Sequence, residues 1–302
     1  MCWRESITLL KLCNTPATIY SPFPLFVISL FLVSGKELSM ISLPLLFVGI
    51  VVSYLLTFPS NLWNHCNDLK EDTAADKITI LTDDPLMQKK AIYISVLLYA
   101  FSLFFVYYLS IEFKRPIYLF TIIWVIATWW YSDNLILKKL IGFRLKEHYL
   151  GELITYSIAW PMYTLSVWLI YSDLNSKAII ITIAVFLLGI SGLLLKDIKD
   201  ISGDKKAGLK TFGVVFPPSQ LLKYSCYFML LFYFAFLNPF AFKSFGSGIL
   251  IIIIPFIYFL KNTFIHMYRK GWTLSKGDLQ ALKSMSNSIY ASFIFIGISA
   301  FI

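Results

Sequence analysis

Charge is what this 302-residue chain has least of. Asp, Glu, Lys and Arg together make up 14% of it, where a soluble domain carries about a quarter. That scarcity excludes an ordinary soluble fold. Cysteine is nearly absent as well. Cys2, Cys13, Cys66 and Cys226 are scattered, with neither metal nor redox spacing, so no disulfide framework or zinc site is expected. Long alternations of polar and apolar residues are missing, which argues against a β-barrel. The stretch from Met1 to Asn14 is too polar for a cleaved signal peptide, so the first apolar run is expected to stay as a helix.

What is abundant is apolar side chain. Hydrophobic residues make up 58% of the chain and the mean hydropathy is +0.72. Several apolar runs approach the ~20 residues that span a bilayer. The pattern predicts an all-α membrane protein, a single domain over 1–302. Nine transmembrane helices are expected in one bundle, at about 17–34, 42–66, 90–110, 117–132, 150–171, 177–196, 221–237, 246–260 and 285–302. Pro161 predicts a kink in the fifth.

The net charge of +9 raises the question of nucleic acid. Topology accounts for it better. With the N-terminus in the cytoplasm, 21 of the 26 Lys and Arg fall in inside segments. Only Lys36, Lys114, Arg115, Lys177 and Lys243 fall outside. The reading is therefore a multi-pass cell-membrane protein with its N-terminus and active-site loops cytoplasmic, and no nucleic-acid partner.

Two acidic stretches stand out against this apolar background. After the second helix, Asn64, Asp68, Asp72 and Asp76 recur every four residues. On a helix that spacing stacks them on one face, about 6 Å apart per step. After the sixth, Asp197, Asp200 and Asp204 fall at i, i+3 and i+7, again on one face. Like charges so placed repel unless a cation sits between them. Their oxygens suit Mg²⁺ or Ca²⁺ rather than Zn²⁺. Both stretches end at the cytoplasmic side in this topology, so one shared metal site is expected.

Carboxylates mixed with Lys77, Lys205, Lys206 and Lys210 at a membrane surface fit a diphosphate held through Mg²⁺. Apolar helices beside it could take a hydrocarbon tail. Aromatic residues, 18% of the chain, could steady an allylic carbocation through their ring faces. A cation-coupled transporter is the competing class. It would need carboxylates near the membrane midplane, where this sequence has almost none. The Asp-Gly-x-x-Ala-Arg signature of CDP-alcohol phosphotransferases is missing.

At these residues the chain resembles the UbiA-type intramembrane prenyltransferases. Asn64-x-x-x-Asp68 looks like their first aspartate-rich motif. Asp200-x-x-x-Asp204, followed by Lys206-Ala-Gly208-Leu-Lys210-Thr211, looks like their second. Tyr131-Ser132, Gly142-Phe-Arg144-Leu-Lys146 and Leu150-Gly151-Glu152 look like the stretch between the fourth and fifth helices. The resemblance is nearest to the menaquinone-type, naphthoate-prenylating branch. It implies transfer of a prenyl group from a polyprenyl diphosphate, such as geranyl or geranylgeranyl diphosphate, to a lipid-soluble or aromatic acceptor, with Mg²⁺ as cofactor. By position it implies that Asn64, Asp68, Asp72, Asp200 and Asp204 hold the Mg²⁺–diphosphate, helped by Asp76 and Asp197. Arg144, Lys146 and Lys206 would meet the diphosphate and Tyr131 the reacting carbon. The family's loop arginine is missing from residues 80–86, which leaves Lys77 as the expected cation there. The same chemistry on geranylgeranylglyceryl phosphate, in ether-lipid synthesis, is the alternative.

Overall fold

The computed structural model describes residues 3–13, 22–36, 38–74, 79–275 and 278–302, and it is helical throughout. Helix α1 is Trp3–Cys13, α2 Pro22–Val33, α3 Leu43–Asn67 and α4 Leu69–Ala74. Then come α5 Pro85–Phe113, α6 Ile117–Ser132, α7 Tyr149–Tyr171 and α8 Ser176–Lys206. Last are α9 Pro218–Phe236, α10 Pro239–Phe245, α11 Ser247–Arg269 and α12 Leu279–Ile298. α11 begins as a 3₁₀ turn and carries one π turn at Leu260–Phe264.

Apart from the short α4, sequential helices pack side by side from α2 to α12, and α12 closes back onto α2. The bundle is therefore a ring, with α3 and α7 in contact across its middle. Outward positions such as Phe47, Leu97, Phe104 and Phe234 are more than half exposed, as expected where lipid replaces water as solvent. Six helices among the described residues are long and apolar enough to cross a bilayer. The bent pair α9–α10, with 54° between its parts, adds a seventh if it counts as one span. The apolar helices α2 and α6 are shorter.

Prolines inside the long helices leave backbone groups that must be satisfied elsewhere. Pro59 in α3 has no N–H to give to the Leu55 carbonyl. Ser102 Oγ of α5 donates to that carbonyl instead, at 2.6 Å, and Ser95 Oγ donates to Pro59 O at 2.8 Å. The two helices are thereby pinned together where the first is weakest. Pro161 lies inside α7, which stays continuous around it.

Several boundaries differ from the sequence expectation, each for a local reason. The sixth apolar helix, expected to stop near 196, runs on to Lys206. It ends where Gly208 takes a left-handed φ of 76° and Leu209 N–H donates to Asp204 O, a Schellman-type stop. The second acidic series therefore lies within α8. The first series is broken instead. α3 ends at Asn67, whose side chain bonds back to Trp63 O and whose carbonyl accepts from Asn134 Nδ2. Asp68 is non-helical, so Asn64 and Asp72 sit on separate helices. α1 lies in a segment expected only as a polar flank. Its Leu9 and Cys13 pack on Leu62 and Cys66 of α3. At the far end of the chain, Lys270 Nζ and His266 Nε2 of the α11 end reach the buried Asp278 at 2.6 and 2.9 Å. Lys270, then His266 and Ser275, hold that carboxyl well below the usual range.

Candidate active site

The site is assembled where the α6–α7 connection meets both acidic stretches. Asp133, fully buried, caps the turn after α6 by accepting from the N–H groups of Leu135, Ile136 and Leu137. Gly142, with φ 92°, ends the short helix Leu137–Ile141 and turns the chain inward. Residues Leu145–Glu147 then form one 3₁₀ turn. That turn sits directly on α7, because a Cβ on Gly151 would lie 2.1 Å from Leu145 O. Two backbone hydrogen bonds tie it to the far segment: Lys210 N–H to Glu147 O at 2.9 Å, and Tyr149 N–H to Lys210 O at 2.8 Å.

Lys146 is thereby held between the motifs. Its Nζ lies 2.5 Å from Asp68 Oδ2, and it is within electrostatic reach of Asp204. Arg144 is 2% exposed. It pairs with Glu71 and lies 3.4 Å from both Asp68 Oδ1 and Glu147 Oε1. These are buried ion pairs, in which removal of one partner costs far more than the pair contributes. On α8, Asp197 is fully buried, and its carboxylate oxygens meet the Glu152 carboxyl and no N–H or hydroxyl donor among the described residues. The cation beside it is Lys196 Nζ, at 3.7 Å, which is also 3.6 Å from Asp200 Oδ2. Asp204 accepts from Thr211 Oγ1 at 2.8 Å. Gly213 admits the following segment to α8, since a Cβ there would lie 2.2 Å from Asp197 O. Glu152, fully buried beside Asp197, accepts from Tyr131 Oη at 3.2 Å and from Phe212 N–H at 3.3 Å.

A cavity of about 420 Å³ opens from this cluster into the bundle. Asn64, Tyr131, Ser132, Lys146 and Lys196 line one end of it; Phe23, Trp124, Trp160 and Tyr163 line the other. One end offers charge and hydrogen bonds, and the other is dominated by aromatic rings, with Thr57 among them.

The structure thus brings together Asn64, Asp68, Tyr131, Arg144, Lys146, Asp197 and Asp204. Asn64 Oδ1 accepts from Ser132 Oγ. Asp72 is half-buried on α4, which packs against α8, the carrier of Asp200. Lys206 is exposed at the end of α8. Asp76 and Lys77 lie outside the described residues. Among the described residues no three acidic, His or Cys groups converge tightly enough to cage a metal by themselves. The donor set still fits Mg²⁺. That ion keeps several waters and takes only one or two carboxylates beside phosphate oxygens, and Asp197 has two buried acceptor oxygens to offer.

Sequence reasoning gives no role to Glu71, Lys196 or Ser132. Glu71 is off the four-residue series, and Lys196 reads as a charge at a helix end. Ser132 stands in the Tyr131-Ser132 match without a role, and its contact with Asn64 is visible only in the structure.

The fold and site define a polytopic helical enzyme with two acidic motifs around one cavity. The profile of the UbiA prenyltransferase family matches residues 22–279, and the chain belongs to that family of prenyltransferases. An uncharacterised protein of Archaeoglobus fulgidus is 29% identical over 294 residues, 95% of this chain and 96% of its own length. Two solved structures share the fold at TM-score 0.62. One is of digeranylgeranylglyceryl phosphate synthase, 17% identical, covering 98% of this chain and 99% of that one. The other is of a UbiA homolog from Archaeoglobus fulgidus bound to DMAPP and Mg²⁺, 19% identical, covering 97% and 98%.

Proposed function

We propose that this protein transfers a prenyl group from an allylic diphosphate to an aromatic, quinone-precursor acceptor, with Mg²⁺. The observation that carries the reading is Lys146, paired with Asp68 of the first acidic stretch, in the lining of an aromatic cavity. The bound UbiA homolog, which holds DMAPP and Mg²⁺, supports the donor class. Mg²⁺ would be held by Asp68, Asp72, Asp197, Asp200 and Asp204, with Asn64 beside them, and would stabilise the charge developing on the leaving diphosphate. Lys146 and Arg144 bind and orient the diphosphate. Tyr131, fixed by Glu152, presents its ring at the reacting carbon, where aromatic faces favour a developing cation. The tail lies among Trp124, Trp160 and Phe23, which exclude water from the cation.

The distribution of Lys and Arg supports nine membrane crossings with this site at the cytoplasmic face. One observation favours a second acceptor. Lys196 lines the cavity with 41% of its side chain exposed, so a further cation is available for a glyceryl phosphate. Diphosphate release and product mass, measured on purified protein with geranyl diphosphate, separate the two acceptors. Dihydroxynaphthoate and geranylgeranylglyceryl phosphate are compared, with and without Mg²⁺. Asp68→Ala and Asp200→Ala should lose Mg²⁺-dependent release, and full activity in both would sink the mechanism.

A further inference from the structure

A groove of about 540 Å³ runs along the outer side of the bundle between α6 and α7. Its walls carry Ile126, Phe143 and Ile154, which are about half exposed, and its floor is Ala127, Gly151 and Thr155, which are buried. The small floor residues leave the space between the two helices unfilled. Thr155 Oγ1 donates to Gly151 O at 2.9 Å, so its hydroxyl is already satisfied within α7. Among the described residues, Thr155 alone is shared with the lining of the catalytic cavity. The groove is therefore a separate space.

Its length suits a lipid chain. The lining runs from Trp130 to Ile123 on α6 and from Leu150 to Ile158 on α7, about 10–12 Å along each helix. One leaflet offers about 15 Å of hydrocarbon, half of the ~30 Å core. The mouth of the groove is basic. The short helix Leu137–Ile141 carries exposed Lys139 beside exposed Leu140 and Ile141, a mixture that settles at headgroup depth. His148 lines the mouth and is exposed. Its Nδ1 accepts from Leu150 N–H at 3.2 Å, so the neutral ring presents a donor at Nε2. Lys210, also exposed, is held next to it by backbone pairing. Glu147, the carboxylate of this segment, is already paired with Lys138 and Arg144.

We propose that the α6–α7 groove is a binding site for one acyl chain of an anionic membrane lipid, whose phosphate sits at Lys139 and His148. A chain that leaves bulk lipid for a groove gains packing rather than hydrophobic transfer, so the charged mouth supplies the selectivity. A second copy seated groove to groove in the same membrane would set two basic mouths at one level, where like charges repel. The site does not depend on the prenyl-transfer reading.

The test is native mass spectrometry of the full chain in detergent, with thermal unfolding followed in parallel. Phosphatidylglycerol and phosphatidylcholine of equal chain length are added in turn. One phosphatidylglycerol per chain should stay bound, at least about fivefold more tightly than phosphatidylcholine, since one lysine near the surface is worth about that factor toward an anionic lipid. Lys139→Ala should remove most of this preference. Ile154→Trp, which fills the groove from its exposed wall, should lose the bound phosphatidylglycerol. Should it fail to fold, Ile126→Trp on the facing wall carries the test. Equal retention of the two lipids by the wild type overturns the proposal. So does Lys139→Ala with the preference intact, or a folded Ile154→Trp that keeps phosphatidylglycerol as the wild type does. A wild-type dimer that Ile154→Trp dissolves would put a second copy in the groove and overturn the lipid as its occupant.

Discussion

Arg144 shows how a single residue divides between holding the site together and serving it. Its guanidinium is buried beside Glu71, Asp68 and Glu147. Glu71 is buried and is not among the residues that line the site cavity, so the contact it makes is the pair with Arg144. Glu71→Gln should therefore lower the unfolding free energy by about 1–3 kcal/mol, since Arg144 keeps Asp68 and Glu147 but loses one of its three charged partners. Asp72→Asn, one residue on but half-buried, should cost less stability than Glu71→Gln while lowering Mg²⁺-dependent turnover. Thermal unfolding in detergent, set beside diphosphate release, separates the two. Equal loss of stability in both variants would show Glu71 and Asp72 doing the same work. The sequence made Asp72 conspicuous and Glu71 invisible, because spacing reports which residues share a helix face and says nothing of which one a distant arginine will meet. Arg144 lies 73 residues from Glu71 along the chain, and their meeting depends on the turn at Gly142 and the backbone bonds at Lys210.

At the scale of elements, apolar runs located the helix bodies and misjudged their ends. α8 exceeds its apolar run by about three turns, because the acidic segment continues the same helix up to Gly208. Hydropathy finds where lipid stops, whereas the helix stops where its carbonyls find other partners. α3 is the converse case, since a polar clasp around Asn67 and Asn134 ends it in the middle of an acidic repeat. The missing hydrogen bond at Pro59 makes the α3–α5 contact testable. Ser102→Ala removes the donor to Leu55 O and should cost about 1–2 kcal/mol in a membrane protein. Pro59→Ala returns an N–H to that carbonyl. The double variant Pro59→Ala/Ser102→Ala should then lose less than Ser102→Ala alone. A double-mutant cycle of thermal unfolding measures the difference, and strictly additive losses would mean that Leu55 O is satisfied in some other way.

At the scale of the whole molecule, the question is how many times the chain crosses the bilayer. Six helices are long enough without argument, and the nine-crossing reading depends on α2, α6 and the bent α9–α10 pair. α6 decides the matter most directly. Its 16 residues span about 24 Å against a hydrocarbon core of about 30 Å. Trp129 and Trp130 lie at its end, where interfacial aromatics settle, and local thinning of the bilayer over a few Å is inexpensive. Lys114 and Lys139 bracket the helix, and both are exposed. Cys13, Cys66 and Cys226 are buried, so replacing Cys2 leaves a quiet background for labelling. In sealed vesicles of known orientation, Lys114→Cys and Lys139→Cys should react with a membrane-impermeant maleimide from opposite sides. Lys139→Cys should react from the cytoplasmic side, along with Lys206→Cys. Reaction of both from one side would make α6 a re-entrant element and break the alternation from which the 21-to-5 charge bias was counted. The shared site would survive that result, because Lys146 pairs with Asp68 directly and the backbone bonds between Glu147, Tyr149 and Lys210 tie its turn to the segment after the second acidic stretch. Its assignment to the cytoplasm would not.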